Sequence, residues 1–580
     1  MANFYTDNAD IAKTIDALDL SEVAALLEED FKFAETVDYA PSSAADAIDN
    51  YKRALEVCGD ICGNRIAQTA EETDKTGNIL EEDGSVTYTP GIKLAIDLLG
   101  RSGLSGCTIP YYLGGLNMPC TVLTACNEIV SRADASLMNI FGLQGIAETI
   151  NQFASEDIKK EYVPKLCNGT YTGAMVLTEP DAGSDLQSVK TTAFQDENGN
   201  WFVNGVKRFI TNGCGDVLLV LARTEPGTTN GAGLSCLLVE KCPQVKIRRL
   251  EHKLGINGSP TCEMVFSNAP AKLIGQRKRG LITYVMALMN GARVGISAQG
   301  TGIGEAAYRA ARDYAAARKQ FGVSIDTFPA LRELMCDMSV DLQAARLLAY
   351  YGSKSVDLEN GLARKFESLK GTPEAMDVRK RMKKYAGFNK MLTPMSKYYA
   401  SEMATRVANG AVSVLGGSGY MKDYPVERYL RDARITSIYE GTSQLQVVAA
   451  IAGVMANLYN EVLADVYEGI ETSAFESEKA EIAALAAEVD SAVAYVKDHP
   501  EGKAYHDLHA RELVDGAIAA IVGALFVRIA AKYPEKKPVL EYWLKRKFPN
   551  ARAELAKAKS GYFASVSDFA MIAPPALLED

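Results

Sequence analysis

Histidine is scarce in this chain, with only four among 580 residues. A catalytic triad or a histidine-ligated metal therefore has little material, and chemistry is expected from carboxylates or a bound cofactor. His506 and His509 would share a helix face, but their neighbours Lys503 and Asp507 favour a surface pair over a metal site. We therefore predict no metal centre.

The chain also lacks an excess of positive charge, with 62 lysines and arginines against 73 aspartates and glutamates. The net charge is -11 and the pI about 5.2, which argues against nucleic acid as a main partner because phosphate binding needs a basic field. The basic run at residues 379–384 is interpreted as a solvated helix face.

Paired cysteines and long apolar segments are missing as well. The eleven cysteines are odd in number, scattered, and all precede residue 337, which predicts reduced thiols in a cytoplasmic protein. The N-terminus lacks the basic and apolar regions of a secretory signal. The apolar run 516–527 is shorter than the roughly 20 residues that a bilayer needs, so it predicts a buried helix and no transmembrane segment.

The length predicts three or four domains, and the hydrophobic period divides the chain. We expect an N-terminal extension (1–44), an α-helical domain (45–172), a β domain (173–278), a helical bundle (279–455) and an appended helical domain (456–580). A polar stretch at about 353–385 indicates an insertion or long connection in the bundle. This order of elements defines an α+β fold and not the alternating βαβ pattern of a dinucleotide fold. The GTGIG run at 300–304 lies in a helical pattern, where small residues permit close helix packing.

Four segments carry a stronger signal. They are MVLTEPDAGSDLQSVKT (175–191), NGVKRFITNG (204–213), ARKQFG (317–322) and LGGSGYMKDYPVERYLRDARITSIYEGTSQLQ (415–446). In order and spacing they resemble the acyl-CoA dehydrogenase family over about residues 45–455. The resemblance implies an N-terminal helical domain, a central β-barrel-like domain and a C-terminal four-helix bundle. The appended domain resembles that of a larger branch, the very-long-chain and 3-methylmercaptopropionyl-CoA dehydrogenase-like enzymes.

The resemblance implies FAD as the cofactor and assigns residues to it. Phe209 stands where members often have Trp, and Ser413 where many relatives have Gln. Arg318 would reach the cofactor pyrophosphate across a subunit interface, which implies a homodimer or higher oligomer. The predicted cofactor residues are Leu177, Thr178, Gly183, Ser184, Phe209, Thr211, Arg318, Gln320, Phe321, Gly416, Gly417, Thr442 and Gln444.

The same resemblance implies a catalytic carboxylate at Glu440. A second family position for the base is occupied here by Ala292, which cannot accept a proton. Ser184, Arg293 and Gly441 are the predicted substrate-binding residues.

The implied reaction is α,β-dehydrogenation of an acyl-CoA, with electrons passed to an electron-transfer flavoprotein. Two alternatives remain open. One is a related flavin enzyme such as an acyl-CoA oxidase or a desulfinase, and the other is a catalytically silent assembly partner.

Overall fold

The first domain is helical. The computed structural model describes residues 2–574. Its early elements are α1 (Ala9–Leu18), α2 (Ser21–Leu27), α3 (Ala44–Ile61), α4 (Ala70–Thr76), the short strands β1 (Ile79–Leu80) and β2 (Val86–Thr87), α5 (Pro90–Arg101), α6 (Cys120–Ala133), α7 (Ala135–Phe141), α8 (Gly145–Phe153) and α9 (Glu156–Cys167). The break between α6 and α7 falls at Asp134, whose side chain accepts the N–H groups of Ser136 and Leu137. All residues of α7 are buried.

The β domain is a closed barrel. Its strands are β3 (Gly173–Val176), β4 (Thr192–Gln195), β5 (Trp201–Thr211), β6 (Val217–Arg223), β7 (Leu234–Glu240), β8 (Val245–Leu250) and β9 (Thr261–Ile274). The pairings β6–β7, β7–β9, β9–β5, β5–β4 and β4–β6 close a ring, with β3 parallel to β6 and β8 beside β9. The predicted barrel-like domain is therefore confirmed.

One strand joins the barrel to the helices. Residues 217–222 of β6 are all buried. Leu218 and Val220 face the barrel core, whereas Val217 and Leu219 pack with Ile146 and other residues of α8 and α9. Burial on both faces explains the continuous apolar run, since a strand with one solvated face would alternate.

The bundle follows a π-helical turn at Gly280–Val285. It contains α10 (Met286–Ala317), the hairpin strands β10 (Lys319–Gln320) and β11 (Val323–Ser324), α11 (Pro329–Ser368), α12 (Ala375–Leu415), α13 (Val426–Thr436) and α14 (Ser443–Met455). The glycines of α10 permit close packing, as predicted. A Cβ atom on Gly302 would lie 2.3 Å from the carbonyl oxygen of Glu128, and one on Gly300 would lie 2.7 Å from that of Ala400.

The stretch 353–385 differs from the long connection expected there. Helix α11 continues to Ser368 and α12 begins at Ala375, so only residues 369–374 separate them. Most polar residues of this stretch occupy the outer faces of both helices, whereas Ser353 and Ser355 are buried and Lys354 is largely buried. Their inner faces bury Leu358, Leu362 and Phe388 in the main hydrophobic core, and Gly361 packs closely against Leu26 of α2. A polar composition therefore concealed a narrow apolar stripe.

All but the last two of the appended helices share that core. The appended helices are α15 (Leu458–Tyr467), α16 (Glu476–Asp498), α17 (Gly502–Lys532), α18 (Lys537–Arg546), α19 (Phe548–Ala558), α20 (Ala564–Ser567) and α21 (Phe569–Ile572). Arg528 on α17 donates from Nε to the carbonyl of Ala17, 2.8 Å away, and Lys536 forms an ion pair with Asp10. The N-terminal extension is thus packed against the appended domain.

Two helical segments of the described chain are long and apolar enough to cross a membrane, by length and composition alone. They are Gly280–Ala317 and Gly502–Lys532, and the bent pair α14 and α15 would make a third. The second helix is therefore much longer than the apolar run 516–527 from which its length was judged too short to span a bilayer. Its most apolar window is nevertheless 89% buried in the protein, against 50% for the first. The predicted burial of residues 516–527 is confirmed.

Candidate active site

A central cavity of about 930 Å³ lies between the barrel, helix α7 with the turn that follows it, and the bundle. It is lined mainly by apolar side chains, with a few polar groups converging on it, which is typical of a ligand site. Of the predicted residues, the cavity wall contains Leu177, Thr178, Gly183, Ser184, Phe209, Thr211, Arg293, Glu440, Gly441 and Thr442, together with Ala292. The fold therefore unites three motifs that are far apart in the sequence.

The barrel side of the cavity is fixed by a buried ion pair that sequence reasoning missed. Lys207 on β5 is fully buried, with Nζ 2.9 Å from Oε1 of Glu179 and 2.8 Å from the carbonyl oxygens of Leu177 and Leu221. Burial lowers the pKa of Lys207 to about 8 against the attraction of Glu179. The pair anchors the loop after β3. Its sequence signal is a lysine at an inward-facing position of a strand.

Phe209 reaches the cavity because β5 is irregular. The β5–β9 register shifts between Lys207 and Ile210, and Phe209 has a left-handed backbone with φ of 59°. This bulge leaves the ring 52% exposed at the cavity wall, with the guanidinium of Arg208 4.7 Å from its centre. An aromatic surface is thus presented to any occupant.

Several hydroxyls at the cavity wall lack protein partners. Within residues 2–574, no protein group hydrogen-bonds the side chains of Thr178, Ser184 or Thr211, all of which line the cavity. These hydroxyls are available to a bound polar molecule.

Glu440 lies on the opposite wall, in the loop between α13 and α14. Glu440 and Gly441 both have left-handed backbones, with φ of 53° and 86°. Gln446 donates from Nε2 to the carbonyl oxygens of Glu440 and Gly441 at 3.1 and 3.0 Å. Thr442 caps α14 by accepting the N–H of Leu445. The loop is therefore held in a strained shape by specific contacts.

The Glu440 carboxyl faces the cavity and has an unusual ionisation. Burial raises its pKa to about 7, while the positive charges of Lys397 and Arg293 oppose that rise. A carboxylate that titrates near neutral pH is suited to accept a proton. The geometry brings a base to a largely apolar cavity.

Arg293 was predicted to bind substrate. Its NH1 donates to Oδ1 of Asn290 at 3.0 Å, and its buried Nε has no hydrogen-bond partner among the described residues. No hydrogen bond joins it to the loop within residues 2–574. Its effect on Glu440 is therefore electrostatic.

A polar network that was not predicted from the sequence connects the loop of residues 439–442 to its neighbouring helices. Tyr439 donates from its hydroxyl to Oδ1 of Asn139 at 2.9 Å and also bonds Gln299. Gln299 in turn donates to Asn139 at 2.9 Å and to the carbonyl of Ala135 at 2.8 Å. These bonds tie the 439–442 loop to α7 and α10.

The other predicted cofactor residues lie outside the cavity. Arg318, Gln320 and Phe321 belong to the hairpin after α10, where the Phe321 ring is 93% exposed. Gly416 and Gly417 follow α12 at the same end of the bundle, where Tyr314 of α10 contacts Ser418. Gln444, on α14, contacts Arg511. A single chain does not bring these residues to the cavity described above.

The sequence matches three domains of one family. Residues 50–170 match the acyl-CoA dehydrogenase N-terminal domain, 174–269 the middle domain and 279–455 the C-terminal domain. The chain therefore belongs to the acyl-CoA dehydrogenase family, and is an oxidoreductase of that class.

Individual relatives agree. An acyl-CoA dehydrogenase of Bacillus subtilis is 38% identical over 358 residues, which are 60% of this chain and 86% of the relative. A 3-methylmercaptopropionyl-CoA dehydrogenase of Ruegeria pomeroyi is 34% identical over 430 residues, 69% of each chain. The structure of an acyl-CoA dehydrogenase complexed with FAD from Bacillus anthracis shares the fold, with a TM-score of 0.72, 23% identity and coverage of 88% of each chain.

Proposed function

We propose that this protein catalyses FAD-dependent α,β-dehydrogenation of an acyl-CoA, with Glu440 as the base. The observation that carries the proposal is the Glu440 carboxyl at the cavity wall, with its pKa raised to about 7. A base of this strength can remove a weakly acidic proton next to a thioester at neutral pH.

The cavity residues fit a flavin. Phe209 offers an apolar plane, and the free hydroxyls of Thr178 and Thr211 offer hydrogen bonds beside it. Leu177, Gly183, Ser184 and Thr442 would complete the binding surface in one chain. When bound, FAD would accept the hydride that leaves the β carbon.

Glu440 can act on the α carbon while its own backbone assists. Among residues 2–574, no group accepts a hydrogen bond from the N–H of Glu440, so this donor is free for the thioester oxygen. Such a donor stabilises the negative charge that develops on that oxygen as the proton leaves. Gly441 and Ala292 leave room beside the carboxyl because neither has a large side chain.

The cavity has an apolar part of its wall that favours an apolar acyl group. Met138, Leu143, Met289 and Ile296 line it. A Cβ atom added to Gly295 would lie 3.0 Å from the terminal carbon of Met138, so the glycine makes space for a flexible thioether. We infer a substrate whose acyl chain lacks charge at its distal end.

We propose further that two copies of the chain form the working enzyme in the cytoplasm and that an electron-transfer flavoprotein accepts the electrons. The exposed group of Arg318, Gln320, Phe321, Gly416 and Gly417 supports the dimer, since these residues match cofactor-binding motifs but lie away from their own cavity. The resemblance to dehydrogenases supports the acceptor.

Purified protein tests the whole proposal. We expect the absorbance of bound flavin, and its bleaching by one member of an acyl-CoA panel under anaerobic conditions. Absence of flavin after reconstitution with FAD would reject the cofactor, and rapid peroxide formation in air would favour the oxidase. Retained flavin that no acyl-CoA reduces would favour the silent assembly partner.

A further inference from the structure

Lys397 is a buried lysine that has no role in the chemistry proposed for Glu440. It lies in the middle of α12, and its side chain has no measurable exposure. Lysine is almost never buried in this way without a partner, because its ammonium loses its hydration. Burial lowers the pKa of Lys397 to about 7, against the attraction of Glu440 and Glu402.

The ammonium holds the loop that carries Glu440. Its Nζ donates to the carbonyl oxygen of Gly441 at 2.7 Å. That carbonyl also accepts from Gln446 Nε2 at 3.0 Å, so two side chains fix it. A left-handed backbone at a residue with a side chain, as at Glu440, costs free energy and persists only where its surroundings determine it.

Charge distinguishes Lys397 from a lysine that merely satisfies a carbonyl. Lys354 on α11 is also largely buried, and its Nζ donates to the carbonyl of Leu18 at 2.5 Å. It lies near Asp19, Asp465 and Arg528, far from the cavity lining. Lys397 instead acts on the Glu440 carboxyl itself.

The groups that face Glu440 come from three elements. Arg293 approaches from α10 and Lys397 from α12, while Tyr439 precedes Glu440 in its own loop. Glu402, one turn further along α12, faces Lys397 and accepts a hydrogen bond from Ser443 at 2.5 Å. Two cations thus surround one cavity-facing carboxylate.

We propose that Lys397 is a positioning residue for the dehydrogenation: its ammonium fixes the Gly441 carbonyl and its positive charge favours the ionised form of Glu440. This inference rests on the proposed role of Glu440 as the base. Gln446 supplies the same carbonyl contact without the charge, so the two contributions can be separated by substitution.

The test compares three variants in the flavin-loaded protein. Lys397→Met removes contact and charge, Lys397→Gln removes the charge but keeps an N–H donor that is one bond shorter, and Gln446→Met removes carbonyl contacts alone. The rate of anaerobic flavin reduction by acyl-CoA is measured from pH 5 to 10. The acid limb is the part of the pH profile in which the rate falls as pH is lowered, because Glu440 becomes protonated. Both Lys397 variants should move this limb upward by about one pH unit or more. The rate at pH 7 should then fall roughly fivefold, and high pH should restore it. Gln446→Met should lower the rate at every pH without moving the limb.

A second measurement does not depend on turnover. Infrared difference spectra against Glu440→Gln report the protonated carboxyl of Glu440 directly, and its titration should move upward in both Lys397 variants. Lys354→Met is the matched control. It removes a buried lysine from a carbonyl, and should lower thermal stability while leaving both titrations in place.

An unmoved acid limb together with an unmoved infrared titration in folded Lys397 variants would overturn the inference. A shift of equal size in Lys354→Met would do the same, because it would mean that the change is a general result of destabilisation. Failure of the proposed function gives a different result, namely that Glu440→Gln still permits flavin reduction.

Discussion

Helices α10 to α12 contribute charged residues to two buried clusters, and the hydrogen bonds of the two differ. In the first, Arg346 donates to Glu128 at 2.6 and 2.9 Å and to Glu305 at 2.6 Å, and Tyr350 donates to the other oxygen of Glu128 at 2.7 Å. In the second, Glu440, Lys397 and Arg293 interact by charge, with no hydrogen bond between any two of them among the described residues.

The difference separates structural charge from reactive charge. The charged groups of the Arg346 cluster are paired and hydrogen-bonded, and they fix the packing of the helices, although burial still raises the pKa of Glu128. The Glu440 cluster leaves Arg293 Nε and the carboxyl of Glu440 without hydrogen-bond partners, so its charges respond to a proton or a ligand. Incomplete pairing is costly in a core but useful at a cavity.

The largest expected effect comes from removing the base. Glu440→Gln should lower the rate of flavin reduction by roughly 10³-fold or more, because the amide cannot accept the α proton. Stopped-flow measurement with a reactive acyl-CoA checks it. The control is Glu148→Gln, at a carboxyl that bonds Thr108 outside the cavity lining and also has a raised pKa. Equal losses in the two variants would remove the special role of Glu440.

The Arg346 cluster should respond in stability instead. Arg346→Met leaves Glu128 and Glu305 buried without their shared cation, so unfolding should become easier by about 3–5 kcal/mol. Denaturant unfolding measures it. The surviving folded protein should keep the acid limb of its pH profile. A loss of unfolding free energy below about 1 kcal/mol would show that this cluster does not stabilise the packing of the helices.

Substitution in the Lys207–Glu179 pair should affect both stability and ligand binding, because the two charges are paired in the interior and also support the cavity wall. Lys207→Met should weaken FAD binding by roughly tenfold or more and lower stability by about 2 kcal/mol, because Glu179 remains buried and the Leu177 carbonyl loses its donor. Reconstitution of the apoprotein measures the affinity. Adding Glu179→Leu should recover part of the stability, whereas additive losses would contradict the coupling.

The pH profile sharpens the comparison further. Since the pKa of Glu440 is raised to about 7, flavin reduction should fall about tenfold for each pH unit below 6 and level off above 8. A limb near pH 4.5, the ordinary value for a glutamate, would mean that burial does not govern this carboxyl.

The last prediction concerns stability at the active site. A carboxyl whose pKa is raised on folding favours the folded state below pH 4.5 and loses that contribution as pH rises through 7. Glu440→Gln removes the ionisation, so it should stabilise the protein at pH 8 by about 3 kcal/mol and have little effect at pH 4, since each unit of pKa shift corresponds to about 1.4 kcal/mol. Thermal melts at the two values measure the difference, and a gain at pH 4 alone would contradict the sign.

Much of the fold followed from local patterns. The change from helical to strand periodicity near residue 173 predicted the β domain, the family resemblance implied that it is barrel-like, and the glycines at 300–304 predicted close helix packing. The helices through 353–385 were missed because their exposed faces dominate the composition. The exposure of Phe209 could not be predicted either, since a bulge depends on how β5 pairs with β9.

The motif around Glu440, with Ala292 at the alternative position, determined from the sequence alone which carboxyl is the candidate base. The sequence also identified the segments that line the cavity, because each is a motif with a characteristic local order of residues. Only the tertiary structure decided the environment of that base. Lys397 and Gly441 are 44 residues apart, and Arg293 is farther still. Their effect on Glu440 depends on burial and on distance through space, and neither is a property of neighbouring residues in the chain.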